Sequence, residues 1–358
     1  MSVATKEQPK ASLWPTADMA GGLGLCLVIA VVSYLSNLYV YNRISALLWA
    51  FIYSILFVNV VPPSPTLLKG ANYAASNLLK FSIALLGLTI SALAWIQMGV
   101  VGLILVLVVI TFAMLSGLYL GKVMGLSDHL ATLIAAGTGI CGATAIAATG
   151  PTIEAKEEEM GMAVACVTLF GLVAMFLYPV LFSSTVLGAW LHHSEVAAGV
   201  WCGTAIHETA QVVGAASQIS DKALAMGMVT KSVRIFSIAP VVIILSAIFH
   251  RRRGTGTAGG KVIPFFALCF VAFTLINSAL LAIPATQAVW GPFVKSYLVP
   301  VVTFLLAVAF AGVGAKVRFA SFARLGFKAF ATGFAVAVLT ACLALILVIF
   351  VYMPANGL

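Results

Sequence analysis

The chain has 358 residues, of which 62% are hydrophobic and only 8% are charged, and its formal net charge is +9 at pH 7. Soluble domains carry about 25% charged residues, and a water-soluble fold could not cover so much apolar surface. The composition therefore excludes an ordinary soluble protein and predicts a polytopic membrane protein. The basic residues are scattered or confined to short loops, so they form no stripe of the kind that binds nucleic acid.

Eleven apolar segments follow one another along the chain, each about as long as one membrane crossing. Their continuous apolar character favours helices, because a backbone in lipid must satisfy its own hydrogen bonds. We expect an all-α fold with a cytoplasmic segment over residues 1–20 and a single transmembrane domain over 21–358. A basic and then Gly- and Thr-rich stretch predicts a hinge loop at about 250–261. The segments are 21–39, 44–61, 74–95, 99–124, 129–150, 161–181, 196–217, 223–249, 262–283, 296–314 and 327–352.

The basic residues between these segments are unevenly distributed. Alternate loops place 12 of them on one side of the membrane and 4 on the other. Because positive residues concentrate on the cytoplasmic side, the N-terminus is predicted inside and the C-terminus in the periplasm. The first side holds Lys6, Lys10, Lys69, Lys122, Arg251, Arg252, Arg253, Lys261, Lys316, Arg318, Arg324 and Lys328, and the second holds Arg43, Lys156, Lys222 and Lys295.

The first candidate site is the glycine-rich stretch Gly137–Gly142 in the fifth segment. Each glycine in a helix costs about 1 kcal/mol relative to alanine, so three in six residues predict a non-helical break that lines a cavity. A half-helix starting near Ala143 would point free N–H groups into that cavity. The alternative is close helix packing through small residues. The substrate-binding candidates here are Gly137, Thr138, Gly139, Cys141, Gly142 and Thr144.

The second candidate site surrounds His207 and Glu208 in the middle of the seventh segment. Ionisable groups at that depth are costly and usually functional. We predict that Gly203, Thr204 and His207 bind substrate. His207, Glu208 and Gln211 are the candidates for a coupling ion. The alternative is a polar pair that only ties helices together. A zinc protease motif is excluded, because Gln211 stands where HExxH requires its second histidine.

Lys231 and Arg234 are the third candidate site. They lie three residues apart in the eighth segment, and therefore on one face of a helix. Their cost at depth would be offset by Glu208, by a bound anion or by both, so we predict a role in substrate binding. The alternative for Lys231 is a side chain that reaches back to the membrane surface.

A weak internal repeat connects the first two candidate sites. A shift of 66 residues aligns Gly137, Thr138 and Ile140 with Gly203, Thr204 and Ile206, and 11 of 40 positions from 131 to 170 match without gaps. Repeats that build a central site are common in transporters. By the segment count the two copies run the same way, whereas inverted repeats would run oppositely. Either the similarity is accidental or one copy is a re-entrant hairpin.

These segments resemble the YeiH-type sulfate exporter family of bacterial membrane transporters. One position departs from the family pattern, which we associate with His-Asp: here it is His207-Glu208. The resemblance implies a secondary transporter, distantly similar to bile-acid-symporter-like folds with inverted repeats. It rests on LIAAGTGICGATAIAATGPTIEAKEEE (133–159), GTAIHETAQVVGAA (203–216), TKSVRIFSIAPVVI (230–243) and LLKFSIALLGLTIS (78–91).

Together these features predict a secondary transporter of a small anion, such as sulfate or a related sulfonate or carboxylate, in the bacterial inner membrane. The alternatives are an anion channel and a membrane enzyme that uses His207 and Glu208 as an acid/base pair. We expect no enzymatic activity, no cofactor and no metal, and no P-loop motif occurs. The expected partners are the anion, a coupling proton or sodium ion, the lipid bilayer and, as a homodimer, a second copy of the chain.

Overall fold

The computed structural model describes residues 16–41, 44–91, 93–184, 186–253, 265–320 and 326–358. Most of the predicted cytoplasmic segment and of the hinge loop lies outside these residues. The regular elements that the structure describes are all helical. They are α1 Ala20–Tyr39, α2 Ala46–Val60, α3 Pro65–Tyr73, α4 Leu79–Leu86, α5 Leu93–Val123, α6 Asp128–Gly139, α7 Ala143–Thr152, α8 Glu157–Ser184, α9 Val186–Trp190, α10 Glu195–Ala205, α11 Thr209–Ile219, α12 Asp221–Phe236, α13 Ile238–Arg253, α14 Phe265–Ala282, α15 Pro284–Phe293, α16 Val299–Ala315, α17 Phe327–Leu347 and α18 Met353–Asn356.

The lengths of these helices fit a polytopic membrane protein. Six helical stretches in the described residues are long and apolar enough to cross a bilayer, and two shorter apolar helices, Ala46–Val60 and Leu268–Ala282, accompany them. Most predicted apolar segments coincide with these stretches. The predicted segments 129–150 and 196–217 are each divided into two shorter helices by a break. The all-helical membrane fold is therefore confirmed, and the number of eleven spans stays a prediction. The long stretches are Ala17–Tyr39, Leu93–Val123, Glu157–Ser183, Asp221–Phe249, Pro284–Ala315 and Phe327–Asn356.

The chain divides into two compact units, and the smaller comprises Met1–Asn42, Ala46–Ser82 and Thr303–Val317. Within this unit α1 and α3 cross at two glycines, since a Cβ on Gly22 would lie 2.7 Å from Gly70 Cα. Asn59 Nδ2 donates to the carbonyl of Val317 at 2.8 Å, which ties α2 to the chain after α16. Small residues and polar side chains thus hold these helices together, as is usual where lipid weakens the hydrophobic driving force.

The larger unit comprises Arg43–Ser45, Ile83–Val302 and Arg318–Leu358, and it contains both candidate breaks. Helix α6 packs closely on α5, where a Cβ on Gly117 would lie 2.7 Å from Ala135 Cβ. Helix α10 packs on α12 in the same way, since a Cβ on Gly203 would lie 2.5 Å from the carbonyl oxygen of Gly227. These glycine contacts fix the helices that precede the two breaks against long neighbours.

Candidate functional site at two helix breaks

Each of the two candidate segments consists of two short helices separated by three residues. The first break is 140–142, between α6 and α7, and the second is 206–208, between α10 and α11. The first break is shorter than the predicted Gly137–Gly142, because residues 137–139 complete the last turn of α6. Helix α6 has 12 residues and is about 18 Å long, so it cannot cross a hydrocarbon core of about 30 Å by itself.

Lys231 connects the two breaks. Its ammonium group donates to the carbonyls of Ile140 and Ile206, each at 2.9 Å, and also to the carbonyl of His207. Lysine has three N–H donors, and all three therefore have backbone acceptors. The side chain is fully buried on α12. Lys231 thus binds the carboxyl ends of both broken helices at once.

Arg234, one helical turn further along α12, repeats this pattern. Its Nε donates to the carbonyl of Gly139 at 3.2 Å. Its two terminal nitrogens donate to further carbonyls in both broken segments. The side chain is also fully buried. The remaining acceptors are the carbonyls of Thr138 and, in the second segment, of Gly203, Thr204 and Ile206.

These contacts have a simple physical cause. The last four carbonyls of a helix have no partner within the helix, and the carboxyl end carries a partial negative charge that attracts cations. In lipid such carbonyls must find donors inside the protein. Lys231 and Arg234 supply these donors for α6 and α10. Direct substrate binding by the two side chains stays a prediction, because the observed partners of their N–H groups are backbone carbonyls.

The amino ends of α7 and α11 meet at Gly142 and Glu208. Gly142 precedes α7 at φ 69°, a region that favours glycine, and supplies no side-chain cap. A Cβ at this position would overlap Glu208 Cγ and would lie 3.4 Å from Glu208 Oε1. Because glycine has no side chain, the Glu208 side chain fits against the start of α7.

Glu208 is held by two neighbouring polar residues. Thr168 on α8 donates its hydroxyl to Glu208 Oε1 at 2.8 Å. Gln211 accepts the backbone N–H of Glu208 at 3.0 Å and donates to the carbonyl of Thr168 at 3.1 Å. Glu208 and Gln211, both predicted as coupling residues, therefore form one hydrogen-bonded group with Thr168.

Two buried polar side chains next to the breaks are incompletely hydrogen-bonded in the described part of the chain. The hydroxyl of Thr138 has no partner there, and the imidazole of His207 interacts with the backbone of Ala205, which leaves one ring nitrogen without a partner. His207 is 2% exposed and Thr138 is 1% exposed. Nearly all buried polar groups in proteins are hydrogen-bonded, so exceptions such as these are candidates for contact with a ligand or an ion.

The structure places the other predicted site residues at or beside the breaks. Cys141 is buried within the first break, and Thr144 is exposed in the first turn of α7. Gly137 and Gly139 lie in the last turns of α6, and Thr204 bonds back to Val200 at 2.6 Å within α10. A Cβ on Gly137 would lie 2.8 Å from Val167 Cγ1, so this glycine allows close packing, whereas Gly142 lies in the break itself. Substrate binding by these residues stays a prediction.

Equivalent positions of the 66-residue repeat lie close together at the two breaks. Ile140 and Ile206 are equivalent positions, and their carbonyls accept from the same ammonium group. Gly142 and Glu208 are also equivalent, and they touch each other. Thr168, which sequence reasoning missed, is the equivalent of Arg234. The shift itself was the signal that could have drawn attention to it.

The sequence is similar to those of several bacterial membrane proteins. Residues 21–333 match the family model described as Conserved hypothetical protein 698. A UPF0324 membrane protein of Yersinia pestis is 32% identical over 341 residues, which cover 90% of this chain and 91% of the relative. The chain belongs to the UPF0324 family.

Two further relatives are consistent with this membership. The UPF0324 inner membrane protein YeiH of Escherichia coli K12 is 35% identical over 264 residues, 72% of each chain. A UPF0324 membrane protein of Pseudomonas putida is 36% identical over 269 residues, 74% of this chain and 72% of the relative. Family membership confirms the YeiH-type resemblance and the prediction that the chain is a membrane protein. The names of these relatives specify no substrate.

Proposed function

We propose that this UPF0324 protein is a secondary transporter that moves a small anion across the bacterial inner membrane, with the anion bound where the two helix breaks meet. The observation that carries the proposal is the charge buried at the breaks. Lys231 and Arg234 are fully buried. In the sequence of the two broken segments and the following helices, 129–153, 196–220 and 222–253, Glu208 is the one acidic residue.

An excess of buried positive charge favours an anionic ligand. Two unit charges 4 Å apart interact by about 4 kcal/mol at the effective dielectric constant that describes most protein sites. The cations need not touch the anion to exert this effect. The first turn of α7 offers the direct contacts, because Gly142 supplies no side-chain cap and the positive dipole end of the helix faces the break. Sulfate, sulfonates and small carboxylates fit this chemistry.

The broken helices favour a transporter over a channel or an enzyme. Interrupted helices in related repeats, meeting at one point, are a common way to build a transporter site. The sequence has no P-loop motif, so the proposal includes coupling to an ion gradient rather than to ATP, and it requires no cofactor. The location follows from YeiH, which is named an inner membrane protein. We keep the orientation with the N-terminus inside and the C-terminus in the periplasm.

The proposal is tested with the purified full-length protein and a panel of anions: sulfate, thiosulfate, methanesulfonate and acetate. At least one anion should raise the unfolding temperature, because a ligand that binds only the folded state stabilises it by mass action. The same anion should show saturable counterflow in proteoliposomes, which a channel would not give. If no anion of the panel stabilises the protein or exchanges across the vesicle membrane, the proposed function is wrong.

One substitution tests whether the anion binds at the amino end of α7. Ala143→Pro removes one N–H from the first helical position, where proline is well tolerated. It should leave the unfolding temperature without anion close to that of the parent and weaken anion binding. Unchanged affinity would place the anion elsewhere in the protein.

A further inference from the structure

We infer that the Glu208 carboxylate and a divalent oxyanion compete for one place, the amino end of α7 beside Gly142, so that each anion binds together with one proton on Glu208. This inference rests on the proposed function and specifies its substrate class and its coupling ion. Glu208 is then an internal anion that occupies the site between transport events.

The contact between Gly142 and Glu208 places the carboxylate at this position. Glu208 Oε1 lies 3.4 Å from where a Cβ of Gly142 would be, and Gly142 immediately precedes the first turn of α7. An anion that binds the N–H groups of this turn must approach the same carboxylate. An ionised Glu208 and an anion bound beside it repel each other, whereas a protonated Glu208 is neutral and can donate a hydrogen bond to the anion.

A second observation points to a ligand at this position. His207, directly before Glu208, is almost completely buried, and its interaction with the backbone of Ala205 leaves one ring nitrogen without a partner in the described residues. The buried hydroxyl of Thr138, next to Gly139 whose carbonyl binds Arg234, also has no partner there. An oxyanion with several acceptor atoms accepts from the hydroxyl of Thr138 as well as from the N–H groups of α7.

The charges around Glu208 account for the stoichiometry. Lys231 on α12 interacts electrostatically with Glu208, and Arg234 and the imidazole of His207 belong to the same cluster, with the thiol of Cys141 beside it. Helix α8 contributes the uncharged Thr168. A divalent anion balances the two buried cations when Glu208 is protonated, and it leaves an excess negative charge when Glu208 is ionised. When the anion leaves, the proton dissociates from the carboxyl group to the same side, so both move in the same direction.

Titration calorimetry of the purified full-length protein tests the inference with sulfate and thiosulfate, which keep their charge from about pH 5 to about pH 8, the range in which a buried carboxyl group can exchange a proton. Measurements in buffers of different ionisation enthalpy count the protons taken up. The parent should take up about one proton per anion. Its affinity should fall by up to about tenfold per pH unit above the titration of Glu208. Glu208→Gln should bind with no proton uptake and with affinity nearly independent of pH.

Glu157→Gln is the matched control, because Glu157 is an exposed acid in the first turn of α8. It should keep the proton uptake of the parent. Thr168→Val is the second variant, in case Glu208→Gln folds poorly. It removes the hydroxyl that donates to Glu208 Oε1 and should shift the midpoint of the pH dependence.

The outcomes separate this inference from the proposed function. If sulfate or thiosulfate binds the parent without proton uptake, the proposed competition with Glu208 is wrong, and the proposal of anion transport still stands. Proton uptake that persists in Glu208→Gln, or an unchanged midpoint in Thr168→Val, would assign the coupling to another group. If neither divalent anion binds, the inference is overturned, and the wider anion panel decides the proposed function.

Discussion

Gly142 and Glu208 occupy equivalent positions in the two halves of an internal repeat, and they are in contact at the point where both halves are interrupted. A side chain at residue 142 would overlap Glu208 Cγ. The two halves are therefore related but not interchangeable: one supplies a carboxylate, and the other supplies the space that this carboxylate fills. The proposed site depends on this asymmetry.

Replacing Gly142 should disturb the protein more than replacing a glycine in a regular helix. Gly142→Ala adds a Cβ that overlaps Glu208 and places alanine at φ 69°, which costs at least about 1–2 kcal/mol. We expect a lower unfolding temperature and loss of anion binding. Gly161→Ala is the control, since a Cβ there meets no atom within 4 Å. Similar unfolding temperatures for the two variants would contradict the described contact.

Lys231 should be essential for stability. Lys231→Met keeps the length of the side chain and removes a charged donor from three buried carbonyls, of which only that of Ile206 still accepts from Arg234. A hydrogen bond to a charged group contributes about 1.5–3 kcal/mol. We expect a loss of several kcal/mol in the free energy of unfolding, measured by chemical denaturation in detergent. Lys222→Met, at an exposed position on α12, should change it by less than about 0.5 kcal/mol. If both variants are equally stable, the contacts of Lys231 with the carbonyls contribute nothing to the free energy of unfolding.

Arg234 should not be replaceable by lysine. Its planar group reaches carbonyls of both broken segments, whereas an ammonium is a compact charge with three donors. Arg234→Lys keeps the charge and should still lower the unfolding temperature, because some carbonyls of α6 or α10 lose their partner. A variant as stable as the parent would show that the positive charge alone is sufficient.

Two glycines close to the breaks, Gly203 in α10 and Gly139 in α6, should differ in their tolerance of substitution. A Cβ on Gly203 would lie 2.5 Å from the carbonyl oxygen of Gly227, whereas a Cβ on Gly139 would have its nearest neighbours at 3.5 Å. We expect Gly203→Ala to lower the unfolding temperature and Gly139→Ala to leave it nearly unchanged. The opposite order would mean that α10 and α12 are not packed as described.

The predicted orientation can be tested by cysteine labelling in whole cells. Lys122 and Lys222 are exposed, and the distribution of basic residues assigns Lys122 to the cytoplasm and Lys222 to the periplasm. In a background without native cysteines, a membrane-impermeant thiol reagent should label Lys222→Cys and not Lys122→Cys. Labelling of Lys122→Cys alone would reverse the orientation.

The sequence by itself determined the membrane class, the position of most helices and one of the two places where helices are interrupted, at the clustered glycines before Ala143. For the second segment it left open whether the likeness is accidental or one copy is a re-entrant hairpin. These properties are local: apolar composition sets the spans, and clustered glycines weaken a helix wherever it lies. The buried ionisable residues could be found for the same reason, because a charge within an apolar segment is visible without a fold.

Only the tertiary structure decided what those residues contact. Lys231 and Ile140 are 91 residues apart, and neither shows in its own segment that one donates to the other. From the sequence we expected Glu208, a bound anion or both to offset the charges of Lys231 and Arg234. The packing of α12 instead directs their N–H groups to the carbonyls of α6 and α10. The contacts of Glu208 with Gly142 and Thr168 were hidden in the same way, because hydrogen bonds between distant segments depend on how helices pack and leave no local pattern.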